Sequence, residues 1–133
     1  MTQKKSLDFS FSGLKTYARN VFLKDPNKKK DIAKAFEVAA IETLLGKCEL
    51  ALKVTKRDKL FISGGVSANN FLRKEAYKLS NKLNIKIIFP KQDFCTDNGA
   101  MIAMIGSLQI ENKVKDLNNS IDVKPRWPLE LMN

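Results

Sequence analysis

The chain has 133 residues, 44% of them hydrophobic, long enough for one domain that buries roughly two thirds of its unfolded surface. Its net charge of +10, carried far more by Lys than by Arg, suits a nucleic-acid partner and equally suits the codon bias of a genome poor in G and C. No run of about 18 apolar residues occurs, and no apolar stretch follows Lys4 and Lys5, so neither a helical membrane span nor a secretion signal is expected and the location read is cytoplasmic.

From Leu7 to Gly13 the chain alternates Phe9 and Phe11 with Asp8, Ser10 and Ser12, which predicts a short, half-buried strand ended by Gly13. Leu14 to Leu23 reads as a helix, stopped near Asp25-Pro26 because proline disfavours helical backbone in the residue before it. The run Lys28-Lys29-Lys30 reads as a solvated loop. A longer helix is expected from Asp31, as N-cap, to Val54. Ile32, Phe36, Ala40, Leu44, Cys48 and Leu52 recur in it every four residues, and Ile41 and Leu45 widen that stripe, so a broad face should be buried. Cys48 and Cys95 have no C-x-x-C spacing and read as reduced packing residues.

Leu60-Phe61-Ile62 is the apolar run of a strand buried on both faces, feeding a tight turn at Ser63-Gly64-Gly65. The next helix, Asn69 to Leu83, sets Leu72, Ala76, Leu79 and Leu83 against Arg73, Lys74, Lys78 and Lys82 on the opposite side, and Asn84 closes it. Ile85 to Phe89 is a second strand ending at Pro90, and a strand-helix-strand unit of this kind makes its strands parallel. Asp97 or Thr96 is expected to cap a last helix, Asn98 to Ile110, whose Met101, Ile102, Met104 and Ile105 make it apolar on most sides and so deeply buried. Residues 111–133 form a polar tail with Trp127-Pro128-Leu129 as an apolar anchor.

Three segments carry candidate chemistry. Gly64 and Gly65 stand beyond the carboxyl end of a strand, where backbone without a Cβ can approach a ligand closely and a helix N-terminus offers free N–H groups to an anion. Ser67 and Asn69 add a hydroxyl and an amide there; an ordinary tight connection with Asn69 as N-cap accounts for the same residues. Asp97 should lie on the same sheet edge, either as one ligand to a cation or as a helix cap. A catalytic metal takes about three protein ligands, and the chain has no His. At the third segment, Asp8 to Thr16, Lys15 could counter a phosphate or face solvent, and no catalytic residue can be assigned.

The apolar-x-Gly-Gly-x-Ser turn resembles the adenosine-side motif of the actin, Hsp70 and sugar-kinase superfamily. More narrowly, DFSFSGLKT (Asp8 to Thr16), GGVSANNFLR (Gly64 to Arg73) and CTDNGAMIA (Cys95 to Ala103) resemble, in order and spacing, signatures of the tRNA threonylcarbamoyladenosine transferases, and Pro125 to Leu129 resembles bacterial members. The resemblance implies an α/β fold, the C-terminal lobe of an actin-like enzyme spanning residues 1–133, with a short mixed sheet packed with helices. It implies transfer of the threonylcarbamoyl group from threonylcarbamoyl-AMP to the N6 amine of the adenosine 3′ of the anticodon, in tRNAs that read codons beginning with A. Gly64, Gly65, Ser67 and Asn69 would bind the nucleotide and Asp97 would bind a divalent metal, iron rather than zinc, acting as a Lewis acid.

Family members are more than twice as long, and two metal-binding histidines belong to the half not represented here. The chain is therefore expected to act only with an N-terminal lobe. A paralogous non-catalytic subunit and a small ATPase are the family's further partners. The alternative is a degenerate, non-catalytic lobe that binds protein or tRNA through its basic surface. A peptidase reading is weak, since no histidine can activate Ser or Cys.

Overall fold

The computed structural model describes residues 7, 8 and 10–112, which form two compact units dividing between Asp97 and Asn98. Phe9, most of the polar tail, the Trp127-Pro128-Leu129 anchor and the Pro125 to Leu129 signature lie outside the described residues.

In the first unit the strand expected at 7–13 is not formed by the described residues, and helix α1 (Ser12–Lys24) begins in its place. The Ser10 hydroxyl accepts from the Ser12 N–H (3.4 Å) and lies 2.9 Å from the Ser12 hydroxyl, a local bond that competes with strand pairing. Gly13 thus lies inside a helix. The chain then turns through a short 3-10 segment, Pro26–Lys28, whose cap is Asp25: its carboxylate accepts from the Asn27 N–H at 3.2 Å. Helix α2 (Lys29–Thr55) follows at once, so the lysines at 28–30 belong to a turn and a helix start, not to a loop. Asp31 is not its N-cap but sits in its first turn, where a negative charge complements the free N–H groups. Ile41 and Leu52 of the expected stripe are buried, and Ile32, Phe36, Ala40, Leu44, Leu45 and Cys48 are half-buried.

Strand β1 (Lys59–Phe61) and strand β2 (Lys86–Ile88) pair in parallel with Leu60 beside Ile87, joined through helix α3 (Asn70–Leu83). The described sheet is these two strands alone, parallel and not mixed. The Ile62 N–H extends the ladder to the Ile88 carbonyl at 3.0 Å, and Asn84 ends α3 in the left-handed conformation at φ 51°. The core is the meeting of α3 with the sheet: Ala76, Leu79 and Ile87 are buried, with Leu45, Leu60, Ile62, Leu83, Ile85 and Phe89 packed around them. β1 is not buried on both faces, for Phe61 is 71% exposed; the apolar side of α3 covers one face of the sheet only. α1 packs on α2 and the two enclose an apolar groove of about 390 Å³ lined by Leu14, Val21, Ile32 and Phe36.

In the second unit the described element is helix α4 (Gly99–Glu111). Its cap is Asn98, whose side chain accepts from the Met101 N–H at 3.1 Å, in place of the expected Asp97 or Thr96. The expected deep burial is not found, with Ile102 76% and Ile110 79% exposed. An apolar composition calls for a covering surface, and the described residues of its own unit provide none. No helix among the described residues is long and apolar enough to cross a membrane.

Among the described residues Leu72 is the largest fully buried apolar side chain, at the start of the α3 stripe. Leu72→Ala is expected to destabilise the chain by about 2–5 kcal/mol, read as a lower urea midpoint by circular dichroism.

Candidate functional site

The loop leaving β1 turns sharply at Gly64, whose φ of 84° and ψ of 174° lie where side chains are rarely tolerated. A 3-10 turn, Gly65–Ala68, follows, and its closure is internal. Ser67 is 0% exposed, and both its N–H (2.9 Å) and its hydroxyl (2.6 Å) donate to the Gly64 carbonyl. Its hydroxyl is therefore directed into the turn. A Cβ built on Gly65 would meet nothing within 4 Å, and Gly65 has no positive φ. Nothing among the described residues requires glycine there.

Asn69 caps α3: its side-chain oxygen accepts from the Leu72 N–H at 2.8 Å. Its amide nitrogen donates to the Glu37 carboxylate of α2 at 2.9 Å. The same carboxylate group accepts from Lys34 at 2.9 Å, and Lys34 lies 4.0 Å over the Phe71 ring. Two bonds from two elements thus define which end of the Asn69 amide is oxygen, leaving one N–H and one lone pair for a ligand.

On the neighbouring strand, the chain leaves β2 through Pro90 into a 3-10 turn, Gln92–Phe94, and reaches the buried Cys95. Arg73 joins the two connections. Its Nε donates to the Ser67 carbonyl (2.7 Å), its Nη2 to the Pro90 carbonyl (2.8 Å) and to Cys95 Sγ (3.4 Å), and its guanidinium lies 4.8 Å over the Phe89 ring. The Gln92 amide adds bonds to the Ala68 carbonyl (3.4 Å) and Asn70 (3.1 Å). The two loops expected at one sheet edge are therefore tied together by side chains. The periodicity places Arg73 on the side of α3 opposite the apolar stripe, and neither Arg73 nor Glu37 is among the site residues that the sequence predicts. An arginine amid the lysines of α3 is the available signal, since a planar fork holds two acceptors in fixed directions and a rotatable ammonium does not.

Asp97 is exposed two residues beyond Cys95. Among the described residues no three His, Cys, Asp or Glu side chains cluster to hold a metal ion, so these residues do not by themselves fit a divalent cation. Lys15 is exposed on the first turns of α1, whose packing partner is α2.

Hydrogen bonds from Asn69 first, and from Lys34, hold the Glu37 carboxyl below its ordinary value. A carboxyl depressed in the folded chain adds stability above its unfolded value and loses it as pH falls through the folded one. Asn69→Ala is expected to raise the Glu37 pKa towards the ordinary range, visible in a carboxyl-carbon NMR titration below about pH 5; an unchanged Glu37 titration would count against the bond.

Residues 1–104 match the family described as tRNA N6-adenosine threonylcarbamoyltransferase. A relative of that name from Vesicomyosocius okutanii subsp. Calyptogena okutanii (strain HA) is 53% identical over 130 residues, 98% of this chain and 38% of the relative. Another, from Wigglesworthia glossinidia brevipalpis, is 50% identical over 98% of this chain and 39% of its own length. One from Legionella pneumophila (strain Lens) is 45% identical over 97% and 40%. The chain thus spans about two fifths of the length of the curated relatives it matches. With its tied pair of loops inside the matched region, the chain belongs to the tRNA N6-adenosine threonylcarbamoyltransferase family.

Proposed function

We propose that this chain is the nucleotide-side, C-terminal lobe of an actin-like enzyme that transfers threonylcarbamoyl from threonylcarbamoyl-AMP to the N6 amine of the adenosine 3′ of the anticodon. In that reaction the amine attacks the carbamoyl carbon, the new C–N bond forms as the bond from that carbon to the phosphate oxygen breaks, AMP leaves and the amine nitrogen gives up one proton to solvent. The observation that carries the reading is the turn at Gly64 and Gly65, beyond the end of β1, in a chain of this family: no described residue lies within 4 Å of a Cβ built on Gly65, which leaves room for an adenosine wall. Asn69 offers its remaining N–H and lone pair to the nucleotide. Ser67 serves the same site from behind by holding the turn closed.

Asp97 would give one oxygen ligand to the family's divalent metal, iron in preference to zinc. The remaining donors would have to come from outside the described residues, on the same polypeptide or another. Two observations support a further lobe, whether on this polypeptide or another: the relatives extend well beyond the two fifths that this chain matches, and α4 has exposed apolar side chains. A non-catalytic module binding tRNA or protein is the second reading, favoured by the net charge of +10.

The two glycines separate fold from ligand. Gly64→Ala forces a side chain to φ 84° and is expected to destabilise by about 1–3 kcal/mol. Gly65→Ala should change stability by less than about 0.5 kcal/mol while weakening AMP binding roughly tenfold by filling the adenosine wall. Melting curves and AMP titration calorimetry check both, and full AMP affinity in Gly65→Ala would remove the wall from the site.

For the reaction, purified chain is mixed with tRNA and threonylcarbamoyl-AMP. Transfer should be absent alone, appear when the N-terminal three fifths of a relative is supplied, and fall roughly 10–100-fold with Asp97→Ala. No transfer in the complemented mixture, with steeply salt-dependent tRNA binding retained, would establish the second reading instead.

A further inference from the structure

A nucleotide wall on one connection and a carboxylate on the next are useful together only if their separation is held constant. The strands cannot do this, since β1 and β2 are three residues each and both connections lie beyond their ladder. The connections are held by a side chain of α3. Arg73 reaches the Ser67 carbonyl at the foot of the glycine turn and the Pro90 carbonyl at the start of the other loop with two separate nitrogens, and then the Cys95 sulfur. Cys95 in turn donates its S–H to the Lys91 carbonyl at 3.4 Å, so the guanidinium grips a loop already closed on itself.

We infer that Arg73 is a positioning residue that locks the Gly64–Asn69 turn to the Lys91–Cys95 loop, so that the two walls of the site move as one body. The inference rests on the nucleotide site proposed above, and goes beyond it in assigning coupling to a residue that need not touch the ligand. The planar fork matters more than the charge. A lysine at 73 carries its donors on one rotatable nitrogen and so lacks the rigid fork that fixes the two carbonyls relative to one another, while the cation over Phe89 would persist in part. Gln92 spans the same gap through a single flexible amide that accounts for no contact with Cys95.

The test is amide hydrogen exchange on the whole chain, wild type, Arg73→Lys and Gln92→Ala, without ligand and with AMP. The reporters are the N–H groups of Ser67 and Asn69 in one loop and of Phe94 and Cys95 in the other, all hydrogen-bonded within their own loop. In free Arg73→Lys both sets should exchange at least tenfold faster, together, while amides in the middle of α2 keep their rates; Gln92→Ala should change them less. With AMP, wild type should gain protection at Phe94 and Cys95 as well as at the turn, and Arg73→Lys should bind AMP several-fold more weakly and gain protection at the turn only. Unchanged loop exchange in free Arg73→Lys would overturn the inference. So would a uniform rise that includes α2, which would make Arg73 a general stabiliser. If wild type does not bind AMP, the nucleotide reading fails by itself, and the lock is still decided by the free-chain rates.

Discussion

Leu72, Ala76 and Leu79 occupy one side of α3 and are buried, and that burial sets the rotation of the helix about its own axis. Once the rotation is set, the directions of the neighbouring side chains follow, because successive residues are about 100° apart. Arg73 is put on the flank that faces the exits of both strands. Asn69, three residues before Leu72, is left as the cap with its amide towards α2. A helix turned by one position would bring Arg73, Tyr77 and Ser80 towards the core in place of Leu72, Ala76 and Leu79, and would take the guanidinium away from the Ser67 and Pro90 carbonyls. Core and site therefore share one geometric determinant.

The elements with a strong period were legible from the residues alone. The strand-helix-strand unit, its parallel pairing, the apolar stripe of α3 and the left-handed end at Asn84 all follow from spacing and from the residue types that tolerate each conformation. The misreadings have one cause. Phe9 and Phe11 alternate as a strand would, and the apolar runs around Phe61 and Met101 read as buried; in each case the pattern states what a segment would prefer to touch, while the outcome depends on whether a partner is there. Among the described residues no strand pairs with residues 10–13, and Phe61 and α4 keep exposed apolar side chains. Position in a pattern also misplaced Arg73, whose reach along a long side chain no periodicity conveys.

Asn69 shows why structural and functional accounts of one residue need not compete. A cap that bonds the Leu72 N–H and a donor that meets Glu37 leaves the amide fixed in orientation, which is the condition under which its remaining N–H and lone pair can discriminate among ligands. The residues most readily explained by folding, Ser67 and Asn69, are thus the ones that give the glycine turn a defined shape. Family membership gives that shape a context without assigning each atom a task.

The exposed apolar side of α4 has a further consequence for the chain as a solute. A net charge of +10 keeps copies apart by long-range repulsion, which weakens as dissolved ions shorten the Debye length to about 10 Å at 0.1 M. Attraction between apolar surfaces is not weakened in the same way. Charge repulsion of this chain is consequently greatest in dilute electrolyte, and rising salt is expected to leave the exposed Ile102, Ile105 and Ile110 less protected against association.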